Sequence, residues 1–308
     1  MNFAFTEEQE QLKQEARSFL GGKPEPAWRE LAELGWLGVS VPEELGGAGL
    51  GFLEEAVLFE ELGRALYAGP YFATVGLALP ALGDEELSRV AAGDERWSAE
   101  IDGLVPDLGS VDWVVTDDGA ARAEGEVLPT VDETRPLGRL VAADGDRAPL
   151  AGTLDRSRTL AALACEAVGI AQKALELGVE YASTRHQFGK PIGVYQAVSH
   201  KLADTYVETE LGRSLAYWAA WCVAEGDEEA PLAAAAAKAF CSEVAVAACE
   251  RAIQVHGGIG FTWEHVLHRY YKRAQWIESF WGFPAEHRAA VAAHMLEGAR
   301  DGIPVRVA

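Results

Sequence analysis

Basic residues are scarce in this chain. Lys and Arg number 26 against 48 Asp and Glu, giving a formal net charge of -22 and a pI near 4.7. That balance excludes general binding to nucleic acid or to anionic membranes, since both need a basic surface. A phosphorylated ligand held by a few local arginines stays open. Cysteine is scarce as well: Cys165, Cys222, Cys241 and Cys249 form no CxxC pair and lie among apolar residues. They read as buried small hydrophobes in a reducing compartment. The start, MNFAFTEEQEQLKQ, has acids where a signal peptide has a basic segment. No uninterrupted apolar run reads as a membrane span. The expectation is a soluble, cytoplasmic protein. A GxSxG elbow, a P-loop and zinc-like Cys/His spacing are missing too, so hydrolase and nucleoside-triphosphatase chemistry has no support. Glu264, His265 and His268 cluster, but a helix-bundle di-iron site needs its Glu-x-x-His pair twice. No metal is expected.

What the chain does have is helical periodicity. At 308 residues it can bury a sizeable core in two or three domains. Thr6 stands three before Gln9, a capping box, and Leu12, Ala16, Phe19 and Leu20 follow on one helical face. Trp28 to Leu34, Phe52 to Ala65 and Gly69 to Leu82 read as helices, with a Gly-rich loop at Val39 to Gly51 and a charged helix or turn around Asp84 to Val90. From Trp97 to about Ala151 the pattern changes to short runs, VDWVVTD (111–117), GEVLPTV (125–131) and GRLVAAD (138–144), separated by Gly, Asp and Pro. That is strand-and-turn chemistry, enough for one small sheet. Beyond Leu154 the chain reads as long helices: Asp155–Thr184, Val194–Gly226, Leu232–His256 opened by Pro231, Trp263–Ser279 capped by Thr262, and a last one from Pro284. Long antiparallel helices with short connections make a bundle. The fold class expected is mainly α with a small β domain: an N-terminal helical domain (1–95), a shortened middle β domain (96–152) and a C-terminal helical bundle (153–308).

Two stretches carry chemistry. Thr184 to His200 reads TRHQFGKPIGVYQAVSH, and Gln254 to Phe261 reads QVHGGIGF. Gly189 followed by Pro191 reads as a helix stop. Arg185 before it is a planar, always-charged fork suited to a phosphate, and Phe188 and Gln196 add an aromatic face and an amide. Glycines at 257 and 258 let backbone amides approach a ligand closely. These are parts for holding a diphosphate and a nucleoside; taken one at a time, the glycines also read as plain helix stops and Arg185 as a solvated cation. GGIG is not a Rossmann fingerprint, because no strand precedes it.

Together the stretches resemble the acyl-CoA dehydrogenase superfamily. Its R-x-x-F-G and Q-x-x-G-G-x-G segments bind the ADP half of FAD; here they are matched by Arg185, Phe188 and Gly189, and by Gln254, Gly257, Gly258 and Gly260. QAVSHKLAD matches the family's Q-A-[IV]-x-x-x-[LM]-A-[DE], with Gln196 at the flavin-side glutamine. VPEELGGAGL at 41 to 50, GGIGFTWEH and RYYKRA continue the likeness. The resemblance implies removal of an α-proton from an acyl-CoA by a carboxylate, with hydride passing to flavin N5.

Two departures qualify the implied chemistry. Counted without gaps from Gly260, the family's catalytic Glu falls on Trp281, followed by Gly282 and Phe283; the alternative family position, counted back from Arg185, falls on Thr159. Neither residue is a general base at neutral pH. Asp155 and Glu278 lie about one turn from these positions and are candidates for a displaced carboxylate, against the plainer reading of helix-surface acids. The middle region also lacks the family's T-E-P-x-x-G-S-D loop and W-I-T-N-type strand over the flavin ring. The chain therefore resembles the shorter subunit of the heteromeric (α2β2) acyl-CoA dehydrogenases of bacterial steroid side-chain and related catabolism. That resemblance implies an FAD shared with a longer homologous subunit, which supplies the base and most of the acyl-CoA pocket. The alternatives are a self-sufficient short dehydrogenase using Asp155 or Glu278, and a non-catalytic scaffold that has lost the cofactor.

Overall fold

The structure is a computed structural model that describes residues 5–141 and 149–300, the last four by backbone alone. Helix α1 (Glu7–Gly22) starts at the capping box: Gln9 N–H donates to Thr6 Oγ1 at 3.2 Å and Thr6 N–H to Gln9 Oε1 at 3.0 Å. Helix α2 (Trp28–Glu33) follows, and then α3 (Phe52–Ala65), which is buried almost all round. Three of its buried residues are acids, and each is matched from another helix. Glu60 meets Lys13 at 2.9 Å and Arg213 at 3.1 Å, Glu61 meets Arg17 at 2.6 Å, and Glu55 pairs with Arg158.

The stretch expected to be a plain helix to Leu82 is instead a π-helix, Phe72–Ala78, running into a 3-10 turn at Leu79–Ala81. Side chains packed against it take up its carbonyls: Thr159 Oγ1 donates to Gly76 O at 3.0 Å and Arg158 Nη2 to Val75 O at 3.4 Å. Tertiary partners of this kind support backbone that local periodicity does not specify. Helix α4 (Asp84–Ala91) ends the region.

The expected single sheet is two. Strands β1 (Trp97–Ala99), β2 (Val105–Pro106), β3 (Trp113–Thr116), β4 (Gly119–Arg122), β5 (Gly125–Val127) and β6 (Leu137–Leu140) sort into β1-β3-β4 and β2-β6-β5. Trp97 pairs with Trp113 in the parallel β1/β3 register, and their indoles stack at 5.6 Å. The run expected at 125–131 is a strand for three residues, and part of the run at 138–144 lies outside the described residues.

Helices α5 (Arg156–Thr184), α6 (Gln196–Ala224) and α7 (Ala230–His256) pack on one another, with α8 (Leu267–Ser279) against α7 and α5, and α9 (Pro284–Arg300) against α7. Asp155 caps α5, its carboxylate accepting from Arg158 N–H at 3.1 Å. Helices α3 and α5 cross on two glycines: a Cβ on Gly63 would lie 2.3 Å from Glu166 O, and one on Gly169 would lie 1.9 Å from Glu60 O. Gly169→Ala therefore pushes the helices apart, at an expected cost of about 1–3 kcal/mol in urea unfolding; an unchanged midpoint contradicts the crossing. All four cysteines are free and buried.

Two sequence expectations need correction, and one gains detail. Helix α7 with its following turn, Ala230–Phe261, has no uninterrupted apolar run of spanning length, since Lys238 and Glu243 break it, but one window of it reaches a mean hydropathy of 1.6 and is long and apolar enough to cross a membrane by length and composition. Two thirds of that window is buried among the other helices (67%). Helix α8 begins at Leu267 and not at Trp263: its N-cap is Val266, and Thr262 Oγ1 donates back to Ile259 O at 2.9 Å. Gly189 does not stop α5, which ends five residues earlier at Thr184.

Candidate functional site

Residues Arg185 to Pro191 form a small β-hairpin. Arg185 leaves α5 in extended conformation, its N–H donating to Tyr181 O at 2.8 Å. Strands β7 (His186–Gln187) and β8 (Lys190–Pro191) then pair. Phe188 at φ 52° and Gly189 at φ 75° make a two-residue turn with both angles positive, the geometry that matches strand twist. The hairpin is pinned where Tyr195 Oη donates to Gln187 O at 3.2 Å. Its tip presents Phe188, 92% exposed, to solvent.

Since α5 and α7 run the same way, the second stretch arrives at the same end of the bundle. Gln254 is exposed on the last turn of α7, and Gly257, at φ 65°, ends the helix. Nothing lies within 4 Å of where a Cβ on Gly257 or Gly258 would stand, so this backbone is open to a ligand; Gly260 differs, since a Cβ there would lie 2.8 Å from Ile253 O. Gln196 is exposed at the first turn of α6. Among the described residues, Arg185, Lys190 and Lys201 are in no ion pair, although acids dominate the chain. A free guanidinium, two amides and open glycine backbone on one end fit a diphosphate. Ile259, Phe261 (80% exposed) and Trp263 (74% exposed) surround it with apolar surface. Residue reasoning missed one feature: Tyr181, His256 and His265 pack as rings beneath these segments. The signal was available, since Tyr181 stands one turn before Arg185 and His256 stands next to Gly257.

The two family base positions lie at the other end of α5. Thr159 is fully buried, and its hydroxyl is engaged with Asp155 O at 3.0 Å as well as Gly76 O. Trp281 is half-buried at φ 54°, with its carbonyl accepting from Arg156 Nη2 at 3.1 Å. The loop around it is braced from α7 and α9: Lys238 Nζ donates to Glu278 O at 3.3 Å and Gly282 O at 3.4 Å, and His287 Nε2 to Gly282 O at 3.1 Å. Burial pushes Lys238 down to about 8 and His287 down to about 4. The carboxylate of Asp155 is occupied as the α5 cap. Burial, then Glu243, raises the Glu278 carboxyl above its usual range. At 1.5 Å rise per residue, the 26 residues from Thr159 to Arg185 span about 39 Å. The structure thus brings Arg185, Phe188, Gln196, Gln254, Gly257 and Gly258 to one end and leaves Thr159, Trp281 and Asp155 at the other.

A helical domain, a small β region and a helical bundle define a flavin-dehydrogenase architecture. Residues 6–90 match the acyl-CoA dehydrogenase N-terminal domain and residues 148–296 the acyl-CoA dehydrogenase C-terminal domain. The acyl-CoA dehydrogenase IpdE2 of Mycobacterium tuberculosis is 37% identical over 82% of this chain and 81% of its own length. The IpdE2 of Mycolicibacterium smegmatis is 32% identical over 93% of each. A chain of the ChsE4-ChsE5 complex from Mycobacterium tuberculosis superposes with a TM-score of 0.84 at 25% identity, covering 96% of this chain and 99% of that one. The chain belongs to the acyl-CoA dehydrogenase family.

Proposed function

We propose that this chain is the shorter subunit of a heteromeric, FAD-dependent acyl-CoA dehydrogenase, α2β2 in composition and cytoplasmic, and that it holds the ADP side of an FAD whose ring lies in a longer homologous partner. One observation carries the reading: the dinucleotide end and the vacated base positions are about 39 Å apart along α5, farther than an extended flavin dinucleotide reaches. A cofactor held at Arg185 therefore has its reactive ring away from Thr159 and Trp281. The similarity to a chain of a two-component complex, ChsE4-ChsE5, supports a heteromeric assembly.

In this reading Arg185 donates charge-assisted hydrogen bonds to the diphosphate, the Gly257–Gly258 backbone lies against it, and Gln196 and Gln254 orient the dinucleotide. When bound, FAD supplies the hydride acceptor for α,β-dehydrogenation of an acyl-CoA thioester. The α-proton goes to a carboxylate of the partner, because the residues at both base positions here are spoken for. The exposed Phe188, Phe261 and Trp263 are surface that the partner covers.

Co-expression with a longer, Glu-bearing homologue is expected to yield a yellow complex with one FAD per heterodimer, while the lone chain is colourless and inactive. Arg185→Ala is expected to weaken FAD binding by the complex about 10- to 150-fold, the worth of a lost charge-assisted bond. Strong flavin absorbance and turnover from the lone chain, diminished by Asp155→Asn or Glu278→Gln, would overturn the reading in favour of a displaced base. Unchanged flavin content in the Arg185→Ala complex would leave a scaffold.

A further inference from the structure

Three rings join the two halves of the dinucleotide end. Tyr181, in the last turn of α5, stacks on His256 at 4.3 Å and 24°, and His256 lies 4.4 Å from His265 at 56°. Tyr181 O holds the Arg185 N–H, and His256 adjoins Gly257, so the stack bridges the arginine segment and the glycine segment. His256 Nδ1 donates to Ala252 O at 2.8 Å. His265 Nδ1 accepts from Leu267 N–H at 3.2 Å, so its proton is on Nε2.

Among the described residues, the surroundings offer no carboxylate as counter-charge. Tyr181 faces the stack from α5 and His268 from α8, while Lys272 lies beyond, 4.4 Å over the Trp263 ring. Glu264 is fully exposed and bonded to Thr262. Among the described residues no carboxylate comes within ion-pair distance of either imidazole. Neutral rings stack; two imidazolium rings at this separation repel. Protonating His265 at Nδ1 also ends its bond from Leu267 N–H. Burial, then the neighbouring His256 and His268, holds His265 below the usual imidazole range.

We propose that the Tyr181–His256–His265 stack is the positioning element that keeps Arg185 and the Gly257–Gly258 turn at one diphosphate spacing, and that it makes dinucleotide retention fall on acidification. The inference rests on the reading of this end as the ADP half of an FAD site. The sign follows from the depressed imidazole: the stack's contribution is complete above the ordinary value of about 6.5 and is lost as pH falls below it.

The test uses the co-expressed complex, at concentrations where the subunits stay associated, with FAD affinity measured at about pH 7.5 and about pH 5.5. The wild-type complex is expected to bind FAD about tenfold more weakly at the lower pH. His265→Phe keeps a ring and removes the proton, so it is expected to hold FAD almost equally at both; His265→Gln, also uncharged, is a second variant with a flat profile. His265→Ala weakens binding at both pH values. A purely structural role would lower the melting temperature of these variants without flattening the profile. Wild-type affinity that is the same at both pH values, or a His265→Phe complex that falls as steeply as wild type, overturns the stack while leaving the cofactor reading standing. A complex without flavin at about pH 7.5 overturns both.

Discussion

Arg273→Met is expected to destabilise the protein by about 3–5 kcal/mol, the cost of removing one partner from a buried ion network, with a melting temperature lower by on the order of 10 °C. Arg273 sits on α8, 1% exposed, and reaches α5 and the loop at Asp132 to Thr134 at once. Its Nε meets Asp132 at 2.7 Å, its Nη1 meets Glu166 of α5 at 2.7 Å, and its Nη2 donates to Thr134 O at 2.7 Å. Arg135 closes the network on Glu166 with two bonds of 2.9 Å and lies over the Phe72 ring at 4.5 Å. The loop from Asp132 to Arg135 is thereby tied to the bundle and to the π-helix. Without the Arg273 guanidinium, Asp132 loses its cation altogether and Glu166 keeps one. Adding Asp132→Asn to the variant should recover part of the loss, because the stranded charge is then gone. A loss under about 1 kcal/mol in urea or thermal unfolding would place this network among ordinary surface ion pairs and refute the account.

The second large effect is Asp107→Asn. Asp107 is fully buried next to the same network, and its Oδ2 has no hydrogen-bond partner. Arg135 and Arg273 are already balanced by Glu166 and Asp132, so an ionised Asp107 is the odd charge. Burial, opposed by the two arginines, pushes its carboxyl up from 3.8 to about 7. A folded value above the unfolded one means the stabilising contribution is complete below about pH 4 and lost as pH rises through about 7. Wild type is therefore expected to lose up to about 4 kcal/mol across that window from this group. Asn cannot ionise and accepts the φ of 56° that Asp107 holds. The variant is expected to be more stable than wild type near pH 8 and to show a flatter profile from pH 4 to 7 in urea unfolding. Equal pH slopes for the two proteins would show that Asp107 stays charged or finds a partner.

Much of the fold was legible because its signals are local. Phe52–Ala65 was readable from its apolar pattern, and the capping box at Thr6 and Gln9 marked the start of α1. The reading failed where a neighbour far along the chain sets the backbone. The π-helix at Phe72–Ala78 has carbonyl partners on Arg158 and Thr159, more than 80 residues away (83). Gly189 was misread because Gly and Pro mark hairpin turns as well as helix stops, and only the pairing of β7 with β8 separates the two.

The chemistry divides in the same way. By itself the sequence determined the family, the segments suited to a diphosphate, and the absence of a carboxylate from the positions of Trp281 and Thr159, since each of these is a matter of residue type and spacing. Only the tertiary structure decided where these features stand. Arg185, Gln196 and Gly257 gather on one end, Thr159 stands about 39 Å away along α5, and Tyr181 and His256 join the arginine and glycine segments at 4.3 Å. Those relations depend on which way α5, α6 and α7 run and how they pack. Packing direction is a property of whole helices, which no local run of residues encodes.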